Sequence, residues 1–168
     1  MLAANGEPAM VEWLEGFVSN FVQKPRGGDR YQIRSVAIGL CPLALVNTYY
    51  LAAMKNSVDE KVRSAAEKVS VFWPNQNDRG AHMNVSGVAL LQYSQHVDEA
   101  MQLVRFLISD QAQQWYADAN YEYPVVAGIP VPETLQHWGE FKADDLPLDQ
   151  LGILNEKAVL LMDRAGWR

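Results

Sequence analysis

The sequence predicts an α/β fold. Three observations carry that expectation. Short apolar runs at residues 43–46, 69–73 and 85–91 read as strands. Longer stretches around them repeat apolar residues at three- and four-residue spacing, the signature of helices packed on one face. The chain has 168 residues, 49% hydrophobic and 20% charged, enough for a domain with a real core.

Each element follows in order. Residues 7–22 place Met10, Val11, Leu14, Phe17, Val18 and Phe21 at helical spacing, and Lys24-Pro25-Arg26-Gly27-Gly28 ends that helix in a loop. Asp29 is read as the N-cap of a helix reaching about Gly39, with Ile33, Val36 and Ala37 inward. Residues 43–46 form a buried strand, Asn47 and Thr48 cap the next helix, and residues 51–54 continue it. Residues 57–67 make an exposed helix, and the strand at 69–73 stops at Pro74-Asn75. A polar loop at 75–82 leads to the run 85–91, interrupted by Gly87. Residues 97–107 are an amphipathic helix with Val97, Met101, Val104 and Leu107 or Ile108 inward, and Ser109 caps a second helix to about Asn120. Residues 121–126 are extended, because Pro124 biases its predecessor toward β. Pro130 and Pro132 mark turns, and residues 148–164 form a last helix that Gly166 ends.

Composition excludes several classes of function. A net charge of −6 with scattered Lys and Arg disfavours a nucleic-acid partner. No apolar run approaches the ~20 residues of a membrane helix. Cys41 is the only cysteine, so there is no internal disulfide and no cysteine-built zinc or iron–sulfur site. The three histidines, His82, His96 and His137, show no catalytic or ligand spacing, and no nucleophile–base pair or phosphate loop is present, so no enzyme is expected. The first residues lack the basic region and long apolar segment of a signal peptide, which at face value means a cytoplasmic product.

The informative feature is Tyr49-Tyr50, placed where a strand turns into a helix. In open α/β sheets that edge is where ligands bind. An ionised tyrosine oxygen is a hard anionic donor and suits a hard, highly charged cation, so the pair reads as a ferric-ion site. The plain alternative is one core and one surface tyrosine. Neighbours on a helix point ~100° apart, so both reach one metal only if the backbone turns between them.

Several motifs occur together in order: Gly27-Gly28-Asp29-Arg30 with Gln32-Ile33, Asn47-Thr48-Tyr49-Tyr50, Phe72-Trp73-Pro74-Asn75 followed by Gly80-Ala81-His82-Met83-Asn84-Val85-Ser86-Gly87, Phe106-Leu107 with Ser109-Asp110-Gln111, Asn120-Tyr121-Glu122-Tyr123-Pro124, and Asp163-Arg164-Ala165-Gly166-Trp167. The ordered set resembles the periplasmic ferric-iron-binding proteins of bacterial iron ABC transporters, across almost the whole chain.

That resemblance implies a type II periplasmic-binding-protein fold, two α/β lobes with the ligand between them. Members are about twice this length, so the chain looks like the second half, with most of the second lobe and part of the first. Residues 1–74 would be a second-lobe segment carrying the tyrosine turn. Residues 75–128 would belong to the first lobe, with hinge crossings, and residues 129–168 would return to the second. Tyr49 and Tyr50 match the family's tyrosine ligands to Fe3+, and Asn47 matches a polar residue that helps hold a synergistic anion such as carbonate or phosphate. An ABC permease is the implied partner and the periplasm the implied location, with the export signal lying before Met1. His82 belongs to a loop motif that supports the hinge, and Tyr121 and Tyr123 pack around Pro124.

The chain departs from the family pattern where Ala52-Ala53 replace a basic residue after the tyrosines, and where Leu40 and Pro42 flank Cys41. Ligands from the other lobe have no counterpart, which implies weak binding. Two alternatives stand beside the ferric role: a binding protein for a small anion or another metal, and a non-binding module that forms homo-oligomers.

Overall fold

The computed structural model describes residues 1–167. Secondary structure among them is eight helices: α1 (Leu2–Ser19), α2 (Asp29–Ala37), α3 (Thr48–Lys55), α4 (Glu60–Ala66), α5 (Val97–Leu107), α6 (Asp110–Asn120), α7 (Glu133–Gln136) and α8 (Asp149–Arg164). The α1 backbone breaks at Gly6 (φ 78°, ψ 174°), just before Pro8, so the regular helix starts near residue 7, as its periodicity requires.

The expected strands are extended but unpaired. The one ladder contact among the described residues is a parallel bridge between Ala81 and Ala143. Residues 43–46 still show a two-residue period. Val46 packs on the core, while Leu43 and Leu45 are about two-thirds exposed, at 63% and 67%. The buried strand expected there is therefore half exposed, since no neighbouring strand covers its other face. At 69–73 the alternation repeats, with Val69 and Val71 against the core and Phe72 outward. The run 85–91 is exposed at Val85, Val88, Leu90 and Leu91.

Two cores form. In the first, α2, α3 and α4 pack on one another through Ile33, Leu51, Met54 and Ala66. Val46, Tyr50, Val62, Val69, Val71 and Trp138 close around them. Full burial of Ile33 and Met54 stabilises the fold by roughly 1.5–3 kcal/mol each. In the second, α1 lies on α8 through Met10, Leu14 and Leu161. Trp13 and Phe17 stack at 4.7 Å, and Trp167 packs against Phe17 and Phe21.

α5 departs from its expected burial. The helix spans the expected residues, but none of its side chains is buried, and Val97, Met101 and Ile108 are exposed. α5 packs against α6, and of its expected apolar stripe Val104 and Leu107 are half-buried. The Ser109 cap forms as expected, its Oγ accepting from the Ala112 N–H. α6 ends with Tyr121 in the left-handed region (φ 58°), so the extended segment begins one residue later than expected.

Gly80 holds a close backbone crossing. Its φ is 100°, and a Cβ there would lie 2.6 Å from the Lys142 carbonyl oxygen and 2.7 Å from the Ala143 carbonyl carbon. No flexible side chain is available to yield. Gly80→Ala is expected to destabilise the chain by about 2 kcal/mol, read as a lower thermal midpoint, whereas Gly87→Ala, which meets open space, leaves the midpoint nearly unchanged.

Candidate metal centre

The tyrosine helix begins at Asn47, whose backbone is extended (φ −76°, ψ 139°) before Thr48 enters α3. The chain therefore turns before the tyrosines, and both lie in the first turn of one regular helix. Even so, the rings converge. Their centroids are 4.5 Å apart with planes inclined by 42°. Helical spacing alone would separate them, so the side-chain rotamers bring them together. Neither residue is fully buried. Tyr50 lays one side on the first core, and the Arg30 guanidinium sits 5.9 Å from its ring centroid.

The Tyr49 phenol is pushed above its ordinary pKa. The main cause is a hydrogen bond with the Tyr50 hydroxyl, followed by partial burial and by negative charge from Tyr50, Asp29 and Glu122. A cation held by both phenolates would displace the protons of both hydroxyls. Both phenols stand at a helix N-terminus, whose partial positive charge favours anionic oxygen.

Asn47 and Asp29 differ from their expected capping roles. Gly28, in extended conformation, occupies the N-cap of α2, and Asp29 is its first residue. Asn47 occupies the N-cap of α3, but its side chain makes no capping bond. The two residues are instead engaged with each other. Asp29 Oδ2 accepts the Asn47 backbone N–H at 2.8 Å and the Asn47 Nδ2–H at 3.1 Å. Asn47 Oδ1 accepts from Asn84 Nδ2 at 2.9 Å. The charge-assisted contact with Asp29 outcompetes the local cap. An amide nitrogen carries two hydrogens, so one Asn47 donor is left for another acceptor.

Arg30 and Asn84 gained no role from the sequence, although both lie in motifs that stood out. Gly27 in the first motif has φ 70°, and a Cβ there would lie 2.8 Å from Tyr31 Cβ, so glycine lets the loop close on α2. His82 is exposed. Tyr123 packs edge-on against Phe141, which stacks on Trp73 at 4.0 Å. Its hydroxyl is buried without a partner, and burial raises its pKa.

Among the described residues, no cluster of three or more His, Cys, Asp or Glu side chains is placed to hold a metal. A shallow depression between α2 and α4, lined by Ala37, Ile38, Lys61 and Lys68, does not include the tyrosines. The phenols therefore remain the set of hard donors that the fold brings together at a helix terminus.

The chain belongs to the family of bacterial extracellular solute-binding proteins, which matches residues 1–143. Iron uptake protein A1 of Synechocystis sp. is 42% identical over 168 residues, covering 100% of this chain and 47% of that protein. Among solved structures, IdiA (FutA) of Trichodesmium, in complex with iron and citrate ligands, superposes with a TM-score of 0.95 at 40% identity over 99% of this chain and 53% of that one. The ferric binding protein of Campylobacter jejuni also gives 0.95, at 33% identity over 99% of this chain and 53% of that one. The chain spans about half the length of the curated relatives it matches. Over that shared half, its fold is the expected type II periplasmic-binding-protein architecture.

Proposed function

We propose that this chain binds a ferric ion through the phenolates of Tyr49 and Tyr50, as part of a solute-binding protein that delivers iron to an ABC permease. The convergence of the two rings to 4.5 Å at the start of α3 carries the proposal. Similarity to an iron uptake protein and to a structure holding iron supports ferric ion over other cargo.

Two phenolates fill part of an iron coordination sphere. A small anion such as carbonate or phosphate completes more of it, held by the free Asn47 amide hydrogen and the first-turn N–H groups of α3. The citrate in the Trichodesmium structure supports an oxyanion of this kind. The periplasm is the proposed location, in keeping with the extracellular solute-binding family. Residues 1–74 and 129–168 are proposed to serve one lobe and residues 75–128 the other.

Titration of the iron-free chain with ferric citrate tests this function. A visible phenolate-to-iron charge-transfer band that saturates at one iron per chain is the expected result. A titration with no visible band contradicts it.

A further inference from the structure

Residues 76–84 are held at both ends. At the start, Gln76 clamps the backbone of Lys142, its Nε2 donating to the carbonyl at 3.2 Å and its Oε1 accepting the N–H at 2.7 Å. The Ala81 N–H donates to the Lys142 carbonyl and the Asp144 N–H to the Ala81 carbonyl, both at 2.8 Å. Arg79 pairs with Asp144 at 3.6 Å. The backbone contact at Gly80 is too close for a side chain, so this crossing is fixed. At the other end, three residues after the bridge, Asn84 donates to Asn47 Oδ1. Asp29 Oδ2 accepts from both the backbone N–H and the side-chain amide of Asn47. Asn47 is the residue from which the tyrosine helix starts.

We propose, on the ferric role above, that Asn84 is a positioning residue for the tyrosine pair: anchored by the 76–81 crossing over 142–144, it fixes Asn47 and so the first turn of α3. Asn84 acts through Asn47. A hydrogen bond of this length from a stapled segment restricts the rotation of the Asn47 amide, and with Asp29 it sets where the helix begins. Losing an outer partner of a metal site typically lowers affinity ten- to a hundredfold.

The experiment uses the whole 168-residue chain with Asn84→Leu, which keeps the size but removes the donor, Asn84→Gln, which keeps the donor, and Gln76→Ala. In the iron-free state, amide hydrogen exchange at Asn47 and Tyr50, whose N–H groups bond to Asp29 and to the Asn47 carbonyl, is expected to accelerate in Asn84→Leu, with α8 unchanged and the thermal midpoint held. With ferric citrate as the probe, Asn84→Leu loses about ten- to a hundredfold in affinity and shifts the charge-transfer band. Asn84→Gln recovers part of both. Gln76→Ala acts in the same direction, and the double variant loses less than the sum of the two. Unchanged exchange at Asn47 and Tyr50 in Asn84→Leu overturns the proposal, as does full additivity of the two losses. If exchange accelerates while even the unsubstituted chain shows no band, Asn84 keeps its positioning role and the ferric function falls instead.

Discussion

Replacing either Tyr49 or Tyr50 with phenylalanine is expected to lower ferric affinity by roughly a hundredfold or more, and replacing both to remove the visible band. Each substitution deletes one anionic oxygen ligand, a larger loss than that of an outer partner. Phenylalanine keeps the ring, so the 4.5 Å contact between the two and the packing of residue 50 on Ile33, Leu51 and Met54 survive. Neither tyrosine is fully buried, and the thermal midpoint should move by the equivalent of about 0.5 kcal/mol or less. Loss of iron with an intact fold is the signature of ligands. A symmetric loss from the two single variants also separates a shared ion from an ion on one phenol. Competition against citrate measures the affinity, and absorption measures the band.

The second large effect is on pH. A free phenol titrates near ~10, and the Tyr50 hydrogen bond, partial burial and neighbouring negative charge hold Tyr49 above that value. The Tyr49 phenol is therefore protonated in the iron-free chain at neutral pH, and every phenol that ligates iron as phenolate must give up its proton to the solvent. Two protons released per ion make the apparent affinity fall by about a hundredfold for each pH unit of acidification, at constant ferric ion activity. Direct measurement of proton release on loading, near two per iron, checks the count. Tyr49→Phe should halve it. In the iron-free chain the sign is opposite. A phenol raised on folding stabilises the fold fully below about pH 10, and that contribution is lost as pH rises through the raised value. Iron loading thus strengthens with pH over the range in which the iron-free fold is at full stability.

Helices were the most legible part of the chain. α5 and α6 have the boundaries their periodicity and the Ser109 cap imply, and α8 begins one residue from its expected start. These signals are local, since apolar spacing and a capping hydroxyl act within a few residues. Strands were legible only as extended segments, because a ladder requires a partner that a short apolar run does not name. Val46, Val69 and Val71 face the core as the two-residue period demands, while Leu43, Leu45 and Phe72 face outward. The α5 stripe is covered only in part, at Val104 and Leu107, for the same reason: amphipathicity shows that a face is apolar, not how much of it a neighbour covers.

At the site, residue types pointed to the tyrosines, but spacing could not reveal their convergence. Side-chain rotation, rather than a backbone turn between them, brings the rings together. The Asp29–Asn47–Asn84 network was hidden for another reason. Asp and Asn at helix starts read as caps, yet here contacts across 18 and 37 positions claim the same atoms. Only the folded chain decides which of those competing bonds forms.

Iron-edge anomalous diffraction from crystals of the ferric-loaded chain tests the central claim most directly. The expected result is a single iron peak within bonding distance of both the Tyr49 and the Tyr50 phenolic oxygens. A peak bonded to one of them alone, or placed elsewhere on the molecule, would contradict it.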